Sequence, residues 1–553
     1  MNLGIRYDYG RPREEARGFL RGFDPDTPNP AAGGRLGAIV GAIGQGGLQA
    51  ANFGLVNPDK TNFGPRVGFA YSINDKTVVR GGYGIYYAPV IYNDFGNTGF
   101  LGYSPGSVNI NGGLSAGITL ENYPPVPQAN PSDQAVGQLG RTDLDFFDKN
   151  FKTGRTVQYS LDIQRQLPYQ FAVQVSYIGS KGTRLRSNFD PINKIPLNAL
   201  KLGNELLTKQ LSAVTPVERA FAASVGVPLA ASPNAVYPGF ANQTDAFAGT
   251  VAQSLRAFPQ YGIINNRLES QGQSFYNAGK VDLTRRFSNG VQGGLSYTFA
   301  KLITDAGEDI FGDSPLNGVI QNPFDRHPLR SVSPNIPPHS LVFNYIIELP
   351  FVKGRRYLNQ PGLMDRIVGG FQFTGIHRYR SGPALTPFVA GGQRDFLQLA
   401  GYLGNLRPNI TGQPFYTDIP AGGVNYRYLN PAAFSRPADF RNAPAFSLDG
   451  GVTVNPAYIA YYSDPQRFFG NAAPTYGGLR AQPFFTEDFS IMKKTKITET
   501  TYLEIRAEFF NLFNRGRFAL PNVNVDDINF GISARNGDIF QPRRIQVGGR
   551  FVF

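Results

Sequence analysis

The chain has 553 residues, with 53 Lys or Arg against 40 Asp or Glu, so it carries a net charge of +13 although only 17% of its residues are charged. Cys is absent, which excludes disulfide scaffolds, thiolate metal sites, iron–sulfur clusters and cysteine nucleophiles. No window reaches ~18 uninterrupted apolar residues, so no bilayer-spanning helix is predicted.

What remains is a chain rich in glycine, tyrosine and phenylalanine whose dominant pattern is period-two alternation. The first such segment is 1–9 (MNLGIRYDY), which alternates instead of forming the basic start and apolar run of a signal peptide. Segments 64–73 and 76–87 follow. Thr156–Leu167 is the clearest case: Val157, Tyr159, Leu161 and Ile163 share one face, and Gln158, Ser160, Asp162 and Gln164 the other. Segment 169–179 repeats the pattern after a Leu-Pro turn and is predicted to complete a hairpin. Then come 272–286, 290–302, 339–350, 367–380, 483–495, 499–512 and 541–553. Each is near the ~9–11 residues that a tilted strand needs to cross a bilayer.

The connections sharpen this reading. Six are 28 to 102 residues long (10–63, 88–155, 180–271, 303–338, 381–482 and 513–540), and five are 1 to 16 residues long (74–75, 168, 287–289, 351–366 and 496–498). Long and short alternate without exception, as in a barrel with long extracellular loops and short periplasmic turns. The fold expected is therefore all-β: an antiparallel transmembrane β-barrel, with about twelve strands visible. A soluble β-rich carbohydrate-binding enzyme leaves the alternation unexplained.

Charge placement points the same way. Asp162, Asp282, Glu348, Glu504, Arg506, Glu508, Arg544 and Arg550 fall on the non-apolar faces. A charge facing lipid at mid-depth costs ~2–4 kcal/mol, whereas one facing a watery lumen costs little. The polar face is thus expected to line a lumen and the apolar face to meet lipid. Glu504, Arg506 and Glu508 are expected to form an internal ion-pair ladder. Tyr7, Tyr9, Tyr86, Tyr87 and Tyr177, near strand ends, are expected to form interfacial girdles.

The last strand, Gln541–Phe553, places Ile545, Val547, Phe551 and Phe553 on one face. An alternating strand with a terminal Phe resembles the signal that the barrel-assembly machinery reads in bacterial outer-membrane proteins. Six phrases are more specific: Asn62–Ala70 (NFGPRVGFA), Lys76–Pro89 (KTVVRGGYGIYYAP), Ser254–Ile263 (SLRAFPQYGI), Tyr379–Pro387 (YRSGPALTP), Leu429–Phe434 (LNPAAF) and Arg506–Asn514 (RAEFFNLFN). In this order they resemble the C-terminal barrel of TonB-dependent receptors, nearest to the Oar-like branch with its carboxypeptidase-regulatory-like domain.

The resemblance implies a 22-stranded barrel behind a signal peptide and a plug, of which residues 1–553 would be the C-terminal part. Met1 is then expected to mark a truncated frame rather than a native short form. It also implies uptake of a ligand too large for porins, with TonB engaged only through a plug missing here. The expected partners are outer-membrane lipid and lipopolysaccharide, the assembly machinery and an unknown extracellular ligand. A non-transporting surface barrel, an adhesin or a secretion-linked pore, is the alternative.

No cofactor and no nucleic acid is expected, since Arg and Lys are scattered. Asp305, Glu308, Asp309 and Asp313 are the one weak metal candidate, an acidic loop without the spacing of an EF-hand. His327, His339 and His377 are far apart and read as isolated surface or interface histidines. The one Gly-x-Ser-x-Gly match, around Ser115, lacks the strand and helix of a nucleophile elbow. Gly33–Gly47 reads as a flexible loop or short loop helix. The spacing of Leu200, Leu207, Leu211 and Val214 predicts a helix within 197–221 of the longer connection.

Overall fold

The computed structural model describes residues 1–10, 21–41, 57–88, 144–187, 191–242, 249–266, 269–306, 320–350, 367–390, 394–402, 406–417, 425–498, 500–534 and 542–553. Twelve strands run as one antiparallel meander in chain order. They are β1 (Asn2–Tyr7), β2 (Phe63–Asn74), β3 (Thr77–Tyr87), β4 (Arg155–Leu167), β5 (Phe171–Ser187), β6 (Glu269–Ser288), β7 (Val291–Thr304), β8 (His339–Glu348), β9 (Phe371–Arg380), β10 (Phe484–Lys496), β11 (Tyr502–Phe510) and β12 (Arg544–Val552). A two-residue strand, Ser331–Val332, also pairs with β7. Among the described residues β1 pairs with β2 and β12 with β11, and the two end strands do not pair with one another.

Every expected strand is present, and long and short connections alternate as read from the sequence. The tight turns show why. At Ser288–Val291 the central residues Asn289 and Gly290 have φ of 49° and 78°, the conformation whose twist matches the flanking strands. A Cβ on Gly290 would lie 2.8 Å from the Glu348 carbonyl oxygen, so this turn has room only for hydrogen. The Pro168–Phe171 turn reaches the same geometry with Tyr169 and Gln170, at φ of 59° and 64°. Asn74 closes its turn by accepting the Lys76 N–H at 3.0 Å.

Two strands are longer than their alternation. β5 continues to Ser187 and β6 starts at Glu269, because Arg155–Gln158 and Glu269–Gln273 continue the backbone ladder there. Pairing needs only N–H and C=O groups, so it outlasts the apolar period. Helix 197–221 is not one helix. Gly203, with φ of 72°, ends a 3₁₀ turn (Leu197–Leu202) and opens α1 (Gly203–Thr208). The Thr215–Glu218 capping box then starts α2 (Pro216–Ser224) afresh. The four spaced residues Leu200, Leu207, Leu211 and Val214 are nonetheless all buried.

Gly33–Gly47 is also corrected where it is described. Arg35–Gly41 is a strand paired with Arg21–Asn29, and Ala38, Ile39 and Val40 are buried. The remainder of that stretch, and Ser115, lie outside the described residues.

The register gives the sheet two unlike faces, since directly paired residues project from the same side. One row reads Tyr71, Val79, Ile163, Val175, Val281, Tyr297, Leu341, Tyr379, Phe485 across nine strands. The next row, on the other face, reads Ala70, Arg80, Asp162, Ser176, Lys280, Thr298, Ser340, Arg380, Phe484. The apolar row stays open to its surroundings: Ile163, Val175 and Tyr297 are exposed, and Ile5 on β1 is 74% exposed. A contiguous apolar surface on this scale marks a membrane-facing wall. No helix among the described residues is long and apolar enough to cross a membrane.

Candidate functional site

The long connections all leave the same end of the meander, and they fold together. Segments of the β5–β6 and β9–β10 connections share the largest core, in which Leu200, Leu206, Leu207 and Phe221 pack with Phe396, Phe440, Tyr458, Tyr462 and Phe468. The elements that position them are α1, α2, α3 (Arg394–Ala400) and α4 (Pro456–Tyr462). Asn455 caps α4, and Tyr458 and Tyr462 on its inner side reach back: the Tyr458 hydroxyl donates to the Leu202 carbonyl at 2.5 Å, and the Asn204 N–H donates to the Tyr462 hydroxyl at 3.2 Å. Burial pushes the Tyr462 phenol up to about 12, so these hydroxyls stay neutral donors and acceptors rather than acids.

The other long connections are tied into the same layer. Asn29 of the β1–β2 connection donates to the Tyr261 hydroxyl at 2.9 Å, and Phe23 and Ile39 pack with Leu144, Tyr261 and Ile264. The Asp24 carboxylate accepts from Lys149 of the β3–β4 connection at 3.0 Å. Burial alone would raise the Asp24 pKa, but bonds from Lys149, the Asp26 N–H and Thr27 outweigh it and hold the group below its ordinary value. Gln321 of the β7–β8 connection accepts the Arg407 N–H at 3.0 Å. The β11–β12 connection joins through Ile532–Ala534, which pairs with Asn425–Arg427, and through Arg436 and Asp526 at 2.5 Å. The described parts of the six connections thus make one folded cap.

Below the cap the polar face carries the charges singled out in the sequence. Asp162 lies opposite Arg80 and accepts from Gln174 at 3.2 Å. Glu504 lies opposite Lys494 and Arg550, Glu508 opposite Ser490 and Gln546, and Arg544 opposite Phe510. Arg506 stands between the two glutamates at 3.5 Å from each. Asp282 pairs with Lys280 at 3.0 Å. Near β1–β5 this face also holds a cleft of about 770 Å³, floored by Gly68 and Gly82 and edged by Arg66, Tyr86, Asp162 and Tyr276. The Arg66 guanidinium lies 4.5 Å over the Tyr86 ring. Tyr86 is therefore on the polar face and belongs to no girdle, because its position is one residue out of phase with Tyr83 and Tyr87.

The apolar face holds one feature the sequence did not announce. Glu487, fully buried, lies opposite His377 on β9. Arg515, from the β11–β12 connection, donates from Nε to both carboxylate oxygens at 2.8 and 3.1 Å. His377 is buried too, not at the surface, and its ring lies parallel to Phe343 at 4.2 Å. The signal missed was period two itself: Glu487 follows Phe485 and precedes Phe489 on the apolar side.

Of the other sequence candidates, Ile545, Val547 and Phe551 project together from β12 and are exposed, with Phe553 just past its end. His339 accepts or donates at 2.8 Å to the Tyr297 hydroxyl, and His327 lies 3.2 Å from Asp325. Asp305 is engaged by the Gln273 N–H, while Glu308, Asp309 and Asp313 lie outside the described residues. No group of three metal-ligating side chains occurs among the described residues.

The family model described as an outer membrane beta barrel domain matches residues 1–546. Among solved structures the chain is similar to the outer membrane transporter YddB from Escherichia coli, at 8% identity, covering 94% of this chain and 42% of that one, with a TM-score of 0.37. It is similar to the ferric-catecholate import receptor Fiu from E. coli K12, at 10% identity over 94% of this chain and 40% of that one, TM-score 0.33. BauA, the ferric preacinetobactin receptor from Acinetobacter baumannii, matches at 9% identity over 94% and 39%, TM-score 0.32. The chain spans about two-fifths of the length of these structures. No curated protein sequence matches it.

Proposed function

The chain belongs to the outer membrane β-barrel domain family, and from that premise we propose that it is the barrel portion of an Oar-like TonB-dependent receptor whose capped end captures a ligand for uptake. The observation that carries the proposal is the two-faced register across twelve strands together with the single cap built from all six long connections. The apolar face meets lipid, and the polar face, with its Glu504–Arg506–Glu508 ladder, lines a lumen. The cleft edged by Arg66, Tyr86 and Tyr276 opens on that lumen and offers hydrogen-bonding and aromatic contacts to a polar ligand. The six ordered sequence phrases support the receptor branch, and Ile545, Val547, Phe551 and Phe553 support delivery by the barrel-assembly machinery.

In this reading TonB acts through a plug outside residues 1–553. The test is a comparison of whole cells: the source strain, a deletion of this gene and a deletion of TonB are grown in rich medium, and solutes depleted from the medium are profiled. The proposal expects a solute whose depletion fails in both deletions. Depletion that needs the gene but not TonB would favour a passive or non-transporting surface barrel.

A further inference from the structure

At the capped end of β9 and β10 the polar face carries cations that the fold does not neutralise. Arg380 ends β9 and lies opposite Phe484, which opens β10, and Arg378 is two residues below on the same face, opposite Thr486. Arg517 reaches this face from the β11–β12 connection. Its guanidinium stands 4.0 Å from the Phe484 ring centre, and that of Arg380 stands 5.2 Å from it. Arg378 and Arg380 are exposed, and none of the three arginines ion-pairs with a carboxylate among the described residues. Asp488, on the same face, lies beyond ion-pair distance of Arg517, and its carboxylate accepts the Asn511 N–H at 3.0 Å. Burial lowers the Arg517 pKa from its ordinary value; the Asp488 charge opposes that, and the Arg380 charge adds to it.

Several other cations of this face stand beside acids. Arg80 has Asp162 opposite it, Lys280 has Asp282 at 3.0 Å, and Arg506 stands between Glu504 and Glu508. Even Arg515, two residues before Arg517, finds a carboxylate, on the other face. Arg380 and Arg517 instead are gathered on one ring, close enough for each charge to be felt at the other. The negative ring face offsets part of that repulsion, and an oxyanion drawn between them removes more. Guanidinium forks match the paired oxygens of carboxylate and phosphate. Arg66, the fourth residue of β2 and held over Tyr86, adds a further cation near this end. The capped end of the polar face is thus left positive, which concentrates anions there.

We propose that Arg380 and Arg517, organised on Phe484, bind a carboxylate or phosphate group of the captured solute, which makes that solute an anion. The inference deepens the uptake reading and rests on the polar face being the lumen. Charge-assisted hydrogen bonds are strong enough that loss of one arginine is expected to weaken binding roughly tenfold, and loss of both about a hundredfold.

The test uses the full-length protein purified from the outer membrane in a nonionic detergent. Binding of two compact polyanions, tricarballylate and tripolyphosphate, is measured by isothermal titration calorimetry, with the neutral trisaccharide raffinose as the uncharged probe. The wild type is expected to bind at least one polyanion and not raffinose, and the polyanion it prefers tells a carboxylate site from a phosphate site. Arg380→Gln and Arg517→Gln are each expected to weaken that binding roughly tenfold, and R380Q/R517Q about a hundredfold. Lys301→Gln, on the opposite face, is expected to bind as wild type. Slower gel migration on heating checks that each variant is folded. Failure of the wild type to bind either polyanion, equal affinity for raffinose, or unchanged binding by R380Q/R517Q would each overturn the proposal. Anion binding is read on purified protein without TonB, so it can fail while TonB-dependent depletion succeeds, and the reverse.

Discussion

Replacing Arg515 by alanine should make this barrel unfold more readily. Glu487 is completely buried on the apolar side of β10, and Arg515 meets both its oxygens. The Arg515 side chain is 44% exposed, so the attraction between the two is screened and is not the large quantity. What the arginine prevents is a carboxylate left with the Tyr379 hydroxyl as its one neighbouring partner, beside Phe485 and the His377–Phe343 stack. Removing one partner of such a pair typically costs about 3–5 kcal/mol, while replacing both with apolar residues of similar volume is near neutral or stabilising. At a membrane interface a lipid-facing charge costs only about 0–1 kcal/mol, which is the competing value if water reaches Glu487. The assay is urea unfolding in detergent micelles on a double-mutant cycle of Arg515→Ala, Glu487→Leu and the pair. We expect Arg515→Ala to cost at least about 3 kcal/mol and Glu487→Leu to restore most of it. A cost below about 1 kcal/mol, with no coupling between the two sites, would refute the reasoning.

The remaining predictions concern the cap and one turn. Asp24, Asp59 and Glu218 all have lowered pKa values: burial raises each, but bonds from Lys149, from Thr61 and Thr153, and from Lys209 respectively outweigh it. Such groups stabilise the fold above their unfolded pKa near 4 and lose that contribution as pH falls through the lower folded value. With the intrinsic pH dependence of exchange divided out, amide protection at 21–41 and 144–153 should therefore fall below about pH 4 before the strands open, and protection unchanged down to pH 2 would contradict it. Leu207→Ala, at a fully buried site, should cost about 2–5 kcal/mol and raise exchange in both 197–224 and 456–469; an effect confined to the first segment would show that the two connections fold separately. Gly290→Val combines a positive φ with a Cβ 2.8 Å from a backbone oxygen, and should cost on the order of 1–3 kcal/mol in the same unfolding assay.

The strands were legible because a membrane wall imposes period two on every residue that crosses it. Val157 to Ile163 needed no partner to declare its face. The alternation of connection lengths was legible for the same reason, since it is set by chain direction alone. The cap was legible only in part. Leu200, Leu207, Leu211 and Val214 announced a buried side, but Gly203 and the Thr215 cap broke the helix that their spacing suggested. Tyr458 and Tyr462 carried no signal, because the backbone groups they reach at Leu202 and Asn204 are more than two hundred residues away in another connection. Glu487 was invisible in a related way: an acid in an apolar phase makes sense only once Arg515 arrives from a separate loop. Tyr86 shows the opposite error, in which residue type suggested a girdle and phase placed the ring on the other face.

The shared core of the cap also constrains how this protein can change over generations. Separate loops could diversify one at a time, each answering to its own contacts. Here Leu207 and Phe468 belong to one core and the Phe23 ring packs against Tyr261, so a drifting surface is expected to carry compensating pairs between segments distant in sequence. Phage or antibodies that recognise this end of the molecule would meet composite epitopes, which denaturation abolishes and which no excised peptide reproduces.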